Sequence, residues 1–153
     1  DTRDISLGNI TIEVKAGLDT SKHVLKISSL DQLDADNEKL VVTHFRFSTS
    51  DEGISLESQI EKVMKVISYD HRLVGEFMRK LFLTGYDPQG DYINNCYKIV
   101  LNELYLVTEN FPRLLRQDIN VAIRQVKYEI NCSDIIDFLI SENEFKERVH
   151  AVN

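Results

Sequence analysis

Apolar and polar residues alternate along the first fifteen positions of the chain in the pattern of a β-hairpin. Over residues 10–15 the apolar side chains fall on every second position, which is the period of a strand with one buried face. The dipeptide Gly8-Asn9 suits a two-residue turn in which glycine supplies a positive φ. Such a turn makes residues whose numbers sum to 17 face each other. The pattern predicts one apolar face and one polar face, and the polar face carries Asp4, Glu13 and Lys15.

Strand and helix patterns alternate along the rest of the chain. Runs rich in β-branched and aromatic residues predict further strands over residues 23–28, 40–48, 95–108 and 122–131. Apolar spacing and capping residues predict helices over residues 56–67, 70–84 and 133–140, and residues 29–32 indicate a capping box that opens a short helix. This order predicts an α+β (mixed α/β) class. We expect one domain over residues 1–140 and a polar, fraying tail over residues 141–153.

The charge balance limits the partners of the protein. The 153 residues include 18 basic and 25 acidic side chains, which gives a net charge of −7. A protein that coats nucleic acid is usually basic, so any contact with DNA should be local and helped by a cation. No apolar run approaches the ~18 residues of a membrane span, and the first residues do not resemble a signal peptide. We therefore expect a cytoplasmic protein with no membrane partner.

The polar face of the predicted hairpin holds the candidate chemistry. Asp4 and Glu13 should lie opposite each other with Cβ atoms about 5 Å apart, where like charges need a neutralising cation. Lys15 projects from the same face about 6.6 Å further along the strand. Two carboxylates that hold Mg²⁺, with an ammonium beside them, suit metal-assisted hydrolysis of a phosphodiester. The alternative is an amphipathic hairpin whose polar face meets only solvent.

Other polar residues carry weaker signals. Cys96 and Cys132 lack CxxC spacing, so we expect neither a disulfide framework nor a zinc site. The histidines are scattered, and we expect each to be exposed or hydrogen-bonded rather than a metal ligand. Arg46 and His44 share a strand face that could touch phosphate or solvent. A local charge of +3 over residues 111–128 fits a DNA-facing patch and a solvated edge equally well. The four histidines are His23, His44, His71 and His150.

The hairpin motif and two downstream stretches resemble a known family. Asp4 followed by Ile12-Glu13-Val14-Lys15 resembles the core of the PD-(D/E)XK nuclease superfamily. The stretches over residues 27–33, and over residues 108–113 with 126–131, resemble a bacterial branch of unassigned specificity that is often found with restriction-modification or phage-defence genes. The resemblance runs from about Asp4 to Phe138.

The resemblance implies a role for each matching residue. Asp4 and Glu13 correspond to the ligands of Mg²⁺, for which Mn²⁺ can substitute, and the Val14 carbonyl is a further ligand oxygen. Lys15 corresponds to the catalytic lysine. Gln32 corresponds to a glutamine that some branches keep near the active site.

Three departures from the superfamily pattern affect the expectation. Arg3 stands where the motif has proline, and Ala16-Gly17 replaces the threonines that follow the lysine in this branch. The superfamily core begins with a helix and a strand before the aspartate, for which this chain has no room. We therefore expect a restriction-endonuclease-like core that is truncated at its N-terminus.

Two functions of different classes follow. The first is a Mg²⁺-dependent endonuclease that cuts DNA in a bacterial restriction or phage-defence system. The second is a module of the same fold with an incomplete site, which serves DNA binding or protein assembly. Because truncation would leave uncovered part of the apolar face of Ile10, Ile12 and Val14, or of the first helix, we also expect the chain to form a homodimer or to cover that face in another way.

Overall fold

A computed structural model describes residues 4–35, 39–90, 92 and 94–151 of the chain. The chain forms two compact units, of which the first comprises Asp1–Phe47 with Ile99–Asn153 and the second comprises Ser48–Lys98. The strands are β1 (Ile5–Leu7), β2 (Ile10–Leu18), β3 (Val24–Ile27), β4 (Leu40–Ser55), β5 (Cys96–Val107) and β6 (Tyr128–Asn131). The helices are α1 (Leu56–Ile67), α2 (His71–Leu83) and α3 (Glu142–His150). Short 3₁₀ turns occupy Leu30–Gln32, Arg116–Asp118, Cys132–Asp134 and Ile136–Phe138.

Two sheets organise the strands. The larger sheet has the order β1-β2-β4-β5, with β1 antiparallel to β2 and β2 parallel to β4. The smaller sheet is the antiparallel pair of β3 and β6. This mixture of strands and helices confirms the predicted α+β class and is consistent with a restriction-endonuclease-like fold.

The predicted hairpin register is confirmed. Leu7 pairs with Ile10 and Ile5 pairs with Ile12, so each pair sums to 17. Gly8 has a φ of 60°, the left-handed conformation that a two-residue hairpin turn requires. The pairing therefore fixes which residues of β2 share a face.

Apolar layers cover both faces of the larger sheet. Ile10 and Ile12 lie in one cluster with Val41. The partly buried Ile140 and, from α3, Phe145 pack against this cluster. Because side chains alternate along a strand, the neighbours of Val41 in β4 belong to the opposite face. That face packs against the smaller sheet in a second cluster, whose fully buried members include Leu25, Ile27, Leu33, Leu40, Val42, Tyr105 and Val107.

The C-terminal segment differs from the expected fraying tail. Ser141 accepts a hydrogen bond from the Glu144 amide, and the Glu144 carboxylate accepts one from the Ser141 amide. This reciprocal capping box starts α3, and Phe145 anchors the helix on the larger sheet. Ile10 and Ile12 are therefore buried, while Ile5 and Leu7 of the same hairpin are 44% and 41% exposed, and the homodimer stays a prediction.

Three local predictions were wrong in detail. The strand expected over residues 122–131 is limited to β6, and the helix expected over residues 133–140 is replaced by two 3₁₀ turns. Ser29 makes no side-chain capping bond, and the Gln32 side chain accepts a hydrogen bond from the Ser28 amide. The helix predictions were better, since Ser55 caps α1 and Asp70 caps α2 as the sequence indicates.

The second unit, Ser48–Lys98, carries α1 and α2. Gly85 follows α2 with a φ of 93°, the left-handed conformation that closes many helices. Although both helices have an apolar stripe, none of their described residues is buried. Within the described residues, no helix combines the length and the hydropathy that crossing a membrane requires.

Replacing Leu25 with alanine should test the packing between the two sheets. Leu25 of β3 is 0% exposed, so Leu25→Ala should lower the free energy of unfolding by about 2–5 kcal/mol. Val121 is 90% exposed, and Val121→Ala should change the free energy of unfolding by less than about 0.5 kcal/mol. Urea denaturation measures both values, and equal effects would show that Leu25 is not in a packed core.

Candidate active site and the adjoining histidine–cysteine cluster

Asp4 lies at the end of the β1–β2 ladder. Its Oδ2 accepts a hydrogen bond from the backbone amide of Val14 at 2.7 Å. The register of the hairpin, continued by one residue beyond Ile5, sets Asp4 opposite Glu13. The Asp4 carboxylate is thus held next to Val14, the residue between Glu13 and Lys15.

Glu13 and Lys15 form an ion pair on the inner face of the larger sheet. Lys15 Nζ lies 2.8 Å from Glu13 Oε1, and their side chains are only 12% and 3% exposed. Leaving either member of such a buried pair without its partner would be destabilising, so the ion pair stabilises this face. The polar face was expected to carry these residues, but the smaller sheet covers that face, so it does not simply meet solvent.

Gln32 joins the pair from the 3₁₀ turn that follows β3. Its Oε1 accepts one hydrogen bond from Lys15 Nζ at 2.9 Å and another from the Ser28 amide at 2.9 Å. The amide oxygen thereby fixes the direction of the lysine ammonium. Lys15 contacts both Glu13 and Gln32, and Asp4 contacts the same strand at Val14.

A small polar cleft adjoins Lys15. It has a volume of about 60 Å³, and its lining includes the side chains of Lys15, Lys22 and Lys26 together with His44. Lys22 and Lys26 are exposed. Three lysines thus line one cleft in a protein of net charge −7, and the ammonium of one of them, Lys15, is paired with Glu13.

Four residues that the sequence analysis left apart meet beside this site. His23 Nε2 lies 2.6 Å from Glu103 Oε2, and His44 Nδ1 lies 3.4 Å from the same oxygen. Cys132 Sγ is 3.7 Å from His44 Nδ1. We call His23, His44, Glu103 and Cys132 the tetrad, and their ligand atoms all lie within 4.8 Å of one another.

The sequence offered no spacing signal for the tetrad. His23 precedes β3, His44 lies in β4, Glu103 in β5 and Cys132 directly after β6. The contacts join residues 80 and 88 positions apart, which only the pairing of the strands brings together. The sequence analysis expected exposed or hydrogen-bonded histidines and did not group two of them with Cys132 and Glu103.

Burial sets the electrostatics of the tetrad. Burial lowers the pKa of His44 below its usual 6.5, although the neighbouring Glu103 opposes the shift. Burial also raises the pKa of the Cys132 thiol. Burial, followed by nearby Cys132 and Glu103, raises the pKa of Tyr105, whose buried hydroxyl has no hydrogen-bond partner within the described part of the chain.

Two arginines that were candidates for phosphate contact serve the fold. Arg46 is buried and donates hydrogen bonds to the backbone carbonyls of Asp19, Ser21 and Lys22 at 2.7–3.0 Å. Arg113 donates to the carbonyls of Leu33 and Ala35 at 2.7 and 3.1 Å. Both guanidinium groups therefore hold loops, and neither expectation, a phosphate contact or a solvated side chain, describes Arg46.

Comparison with known proteins identifies a family. A family model described as "Putative PD-(D/E)XK family member, (DUF4420)" matches residues 1–133. The match covers the hairpin, both sheets and the tetrad. No curated protein and no solved structure matches the chain.

The lowered pKa of His44 predicts a pH dependence of stability. The unfolded chain takes up a proton at His44 near pH 6.5, whereas the folded chain does so only at lower pH. In the presence of a chelator, the free energy of unfolding should therefore be highest above about pH 6.5 and should fall as the pH is lowered.

Two histidine variants separate this effect from general acid denaturation. His44→Gln should flatten the slope of unfolding free energy against pH, because it removes the titrating group. His71 is exposed on α2, and His71→Gln should leave the slope unchanged. Urea denaturation at several pH values measures the slopes, and an unaltered slope in His44→Gln would contradict the assignment.

Proposed function

The chain belongs to the family described as putative PD-(D/E)XK members, and on that premise we propose that it is a Mg²⁺-dependent DNA endonuclease. The reaction is hydrolysis of a phosphodiester bond, and the setting is a bacterial restriction or phage-defence system. The observation that carries the proposal is the joint placement of Asp4, Glu13, Lys15 and Gln32 around three consecutive residues of β2.

The oxygen ligands at this position suit a hard divalent cation. Asp4 and Glu13 supply carboxylates, and Val14, whose amide is bound by Asp4, supplies a carbonyl oxygen. Lys15 supplies one positive charge in contact with buried Glu13. A second positive charge beside two carboxylates would balance the site, and Mg²⁺ or Mn²⁺ fits the all-oxygen donor set.

The residues of the chain have separate tasks in this reaction. A bound cation would polarise the phosphate and lower the pKa of an attacking water. Lys15 presents its ammonium to the negative charge that develops on the phosphate oxygens. Glu13 and Gln32 hold that ammonium by contacts of 2.8 and 2.9 Å, so its position is fixed before the substrate arrives.

The lysine-lined cleft supports DNA as the substrate. Lys22 and Lys26 lie on the same cleft as Lys15, where they can contact phosphates that flank the scissile bond. Since the whole chain is acidic, non-specific binding to duplex DNA should be weak, should need a divalent cation, and should fall steeply with salt.

A second candidate function is a DNA-binding or assembly module of the same fold. It is favoured by the contacts that already satisfy the acidic groups, since Glu13 pairs with Lys15 and Asp4 with the Val14 amide. A site of this kind is stable without a cation. The two candidates differ in whether a cation binds and whether bound DNA is cut.

Addition of Mg²⁺ or Mn²⁺ should raise the melting temperature of the protein. The rise follows from binding to the folded state only, and it should grow with the cation concentration. Asp4→Asn and Glu13→Gln should each abolish most of the rise. Asp137 is exposed on a 3₁₀ turn, so Asp137→Asn should respond like the wild type. An equal response in all variants, measured by differential scanning fluorimetry, would argue against the site.

Lys15→Met should separate cation binding from cleavage. The variant should keep or strengthen the Mg²⁺-dependent rise in melting temperature, because a repelling ammonium is removed. It should abolish the conversion of supercoiled plasmid to nicked or linear DNA that we expect of the wild type with Mg²⁺. Lys65 lies on α1, and Lys65→Met serves as the matched control that keeps activity. Plasmid binding without cleavage by the wild type would support the module instead.

A further inference from the structure

The tetrad is a donor set of a different kind from the oxygen ligands of the candidate active site. It offers two imidazole nitrogens, one sulfur and one carboxylate oxygen, all within 4.8 Å of one another. Thiolate and imidazole ligands select a borderline-soft transition metal and are a poor match for Mg²⁺. We propose that His23, His44, Glu103 and Cys132 bind one Zn²⁺ ion, which joins the two sheets.

The distances are close to those of a four-coordinate site. Tetrahedral Zn²⁺ with its usual bonds to nitrogen, oxygen and sulfur holds its ligand atoms about 3.3–3.8 Å apart. The separations of 3.4 Å between His44 Nδ1 and Glu103 Oε2, and of 3.7 Å between Cys132 Sγ and His44 Nδ1, already meet this requirement. On binding, His23 Nε2 and Glu103 Oε2 must separate from 2.6 Å by about 0.7 Å, and the widest separation, which is within 4.8 Å, must shorten by about 1 Å.

The charges of the tetrad balance those of the ion. One thiolate, one carboxylate and two neutral imidazoles carry a total charge that equals the charge of Zn²⁺ in magnitude. A neutral assembly avoids the cost of leaving a net charge in the interior, where His44 and Cys132 are almost fully buried. On binding, the thiol of Cys132 releases its proton to solvent and the sulfur forms a bond to the metal.

The surroundings hold the ligands in place. Arg46 binds the carbonyls of Asp19, Ser21 and Lys22, which fixes the loop immediately before His23. The Cys132 amide donates to the His23 carbonyl at 3.1 Å, so these two ligands are already neighbours. Glu103 and Cys132 lie near the otherwise unpartnered Tyr105 hydroxyl, and a metal-bound thiolate or carboxylate would accept its hydrogen bond.

The topology indicates a structural role for the ion. His44 and Glu103 belong to the larger sheet, whereas His23 and Cys132 flank the two strands of the smaller sheet. His44 is also the parallel partner of Lys15 in the β2–β4 pairing. The ion would therefore clamp the smaller sheet over the face that carries Glu13 and Lys15. Solvent reaches the position from the side of His23, whose side chain is 39% exposed.

Cobalt substitution and zinc analysis test the proposal without any assay of activity. Protein stripped of metal with a chelator should retain one Zn²⁺ per chain through gel filtration after reconstitution, and Zn²⁺ should raise its melting temperature. Co²⁺ in the same position should show a thiolate-to-metal charge-transfer band and the intense visible bands of a tetrahedral site.

The variants assign the signal to the tetrad. Cys132→Ser should lose the charge-transfer band, whereas Cys96→Ser should keep it. His23→Gln removes a partly exposed ligand. It should weaken zinc binding by more than the roughly 10- to 100-fold that is lost when a residue hydrogen-bonded to a ligand is replaced. This variant keeps the test valid if Cys132→Ser does not fold. Asp4→Asn should keep the cobalt spectrum, which separates the tetrad from the proposed Mg²⁺ site.

Two results would overturn the proposal. One is a cobalt spectrum without a thiolate band. The other is an equal response to Zn²⁺ in the wild type, Cys132→Ser and His23→Gln. In either case the tetrad is a metal-free hydrogen-bonded network. Neither result bears on binding of Mg²⁺ by Asp4 and Glu13, which is measured separately.

Discussion

The buried ion pair between Glu13 and Lys15 constrains the rest of the first unit. A carboxylate enclosed between two sheets needs a fixed positive partner, and the lysine two residues further along the same strand supplies it at 2.8 Å. The lysine in turn needs an acceptor for another of its protons, which Gln32 provides. The chain between Lys15 and Gln32, including β3, must therefore fold back over the face of the larger sheet that carries Lys15.

The space between the sheets is divided into an apolar part and a polar part. Leu25, Ile27 and their neighbours form the apolar part, which supplies most of the burial. The polar part contains Glu13, His44 and Arg46, each in contact with a polar partner. Burying paired polar groups adds little to stability, but an alternative register would leave them unpaired, at a cost of about 1–3 kcal/mol for each orphaned neutral group. We infer that the polar part specifies the register in which the sheets pack.

The sequence predicted the features that depend on neighbours along the chain. The hairpin register follows from a two-residue turn and a period of two, and the structure has that register. The caps at Ser55 and Asp70 were also evident from local spacing. In the same way, Asp4, Glu13 and Lys15 could be selected because they lie on one hairpin.

The features that the sequence did not predict depend on distant contacts or on competition between local signals. The tetrad is assembled by strand pairing across 80 and 88 residues, which leaves no pattern in one sequence. Gln32 has the spacing of a capping residue, yet the buried Lys15 ammonium and the Ser28 amide compete more strongly for its oxygen. The polar composition of α3 led to the expectation of a fraying tail, although Phe145 packs on the larger sheet.

The difference between local and distant contacts also has a consequence for the order of assembly. The contact of Lys15 with Gln32 closes a loop of 17 residues and that of Asp4 with Val14 a loop of 10, whereas His23 and Glu103 close one of 80. Because the entropy lost on closing a loop grows with its length, the short loops form at the lower cost. We expect the hairpin and Gln32 to come together early in folding, and the tetrad to join only after β5 and β6 have docked. The face that carries Glu13 and Lys15 would then form before the smaller sheet is complete. The last step of folding would be the one that buries this face.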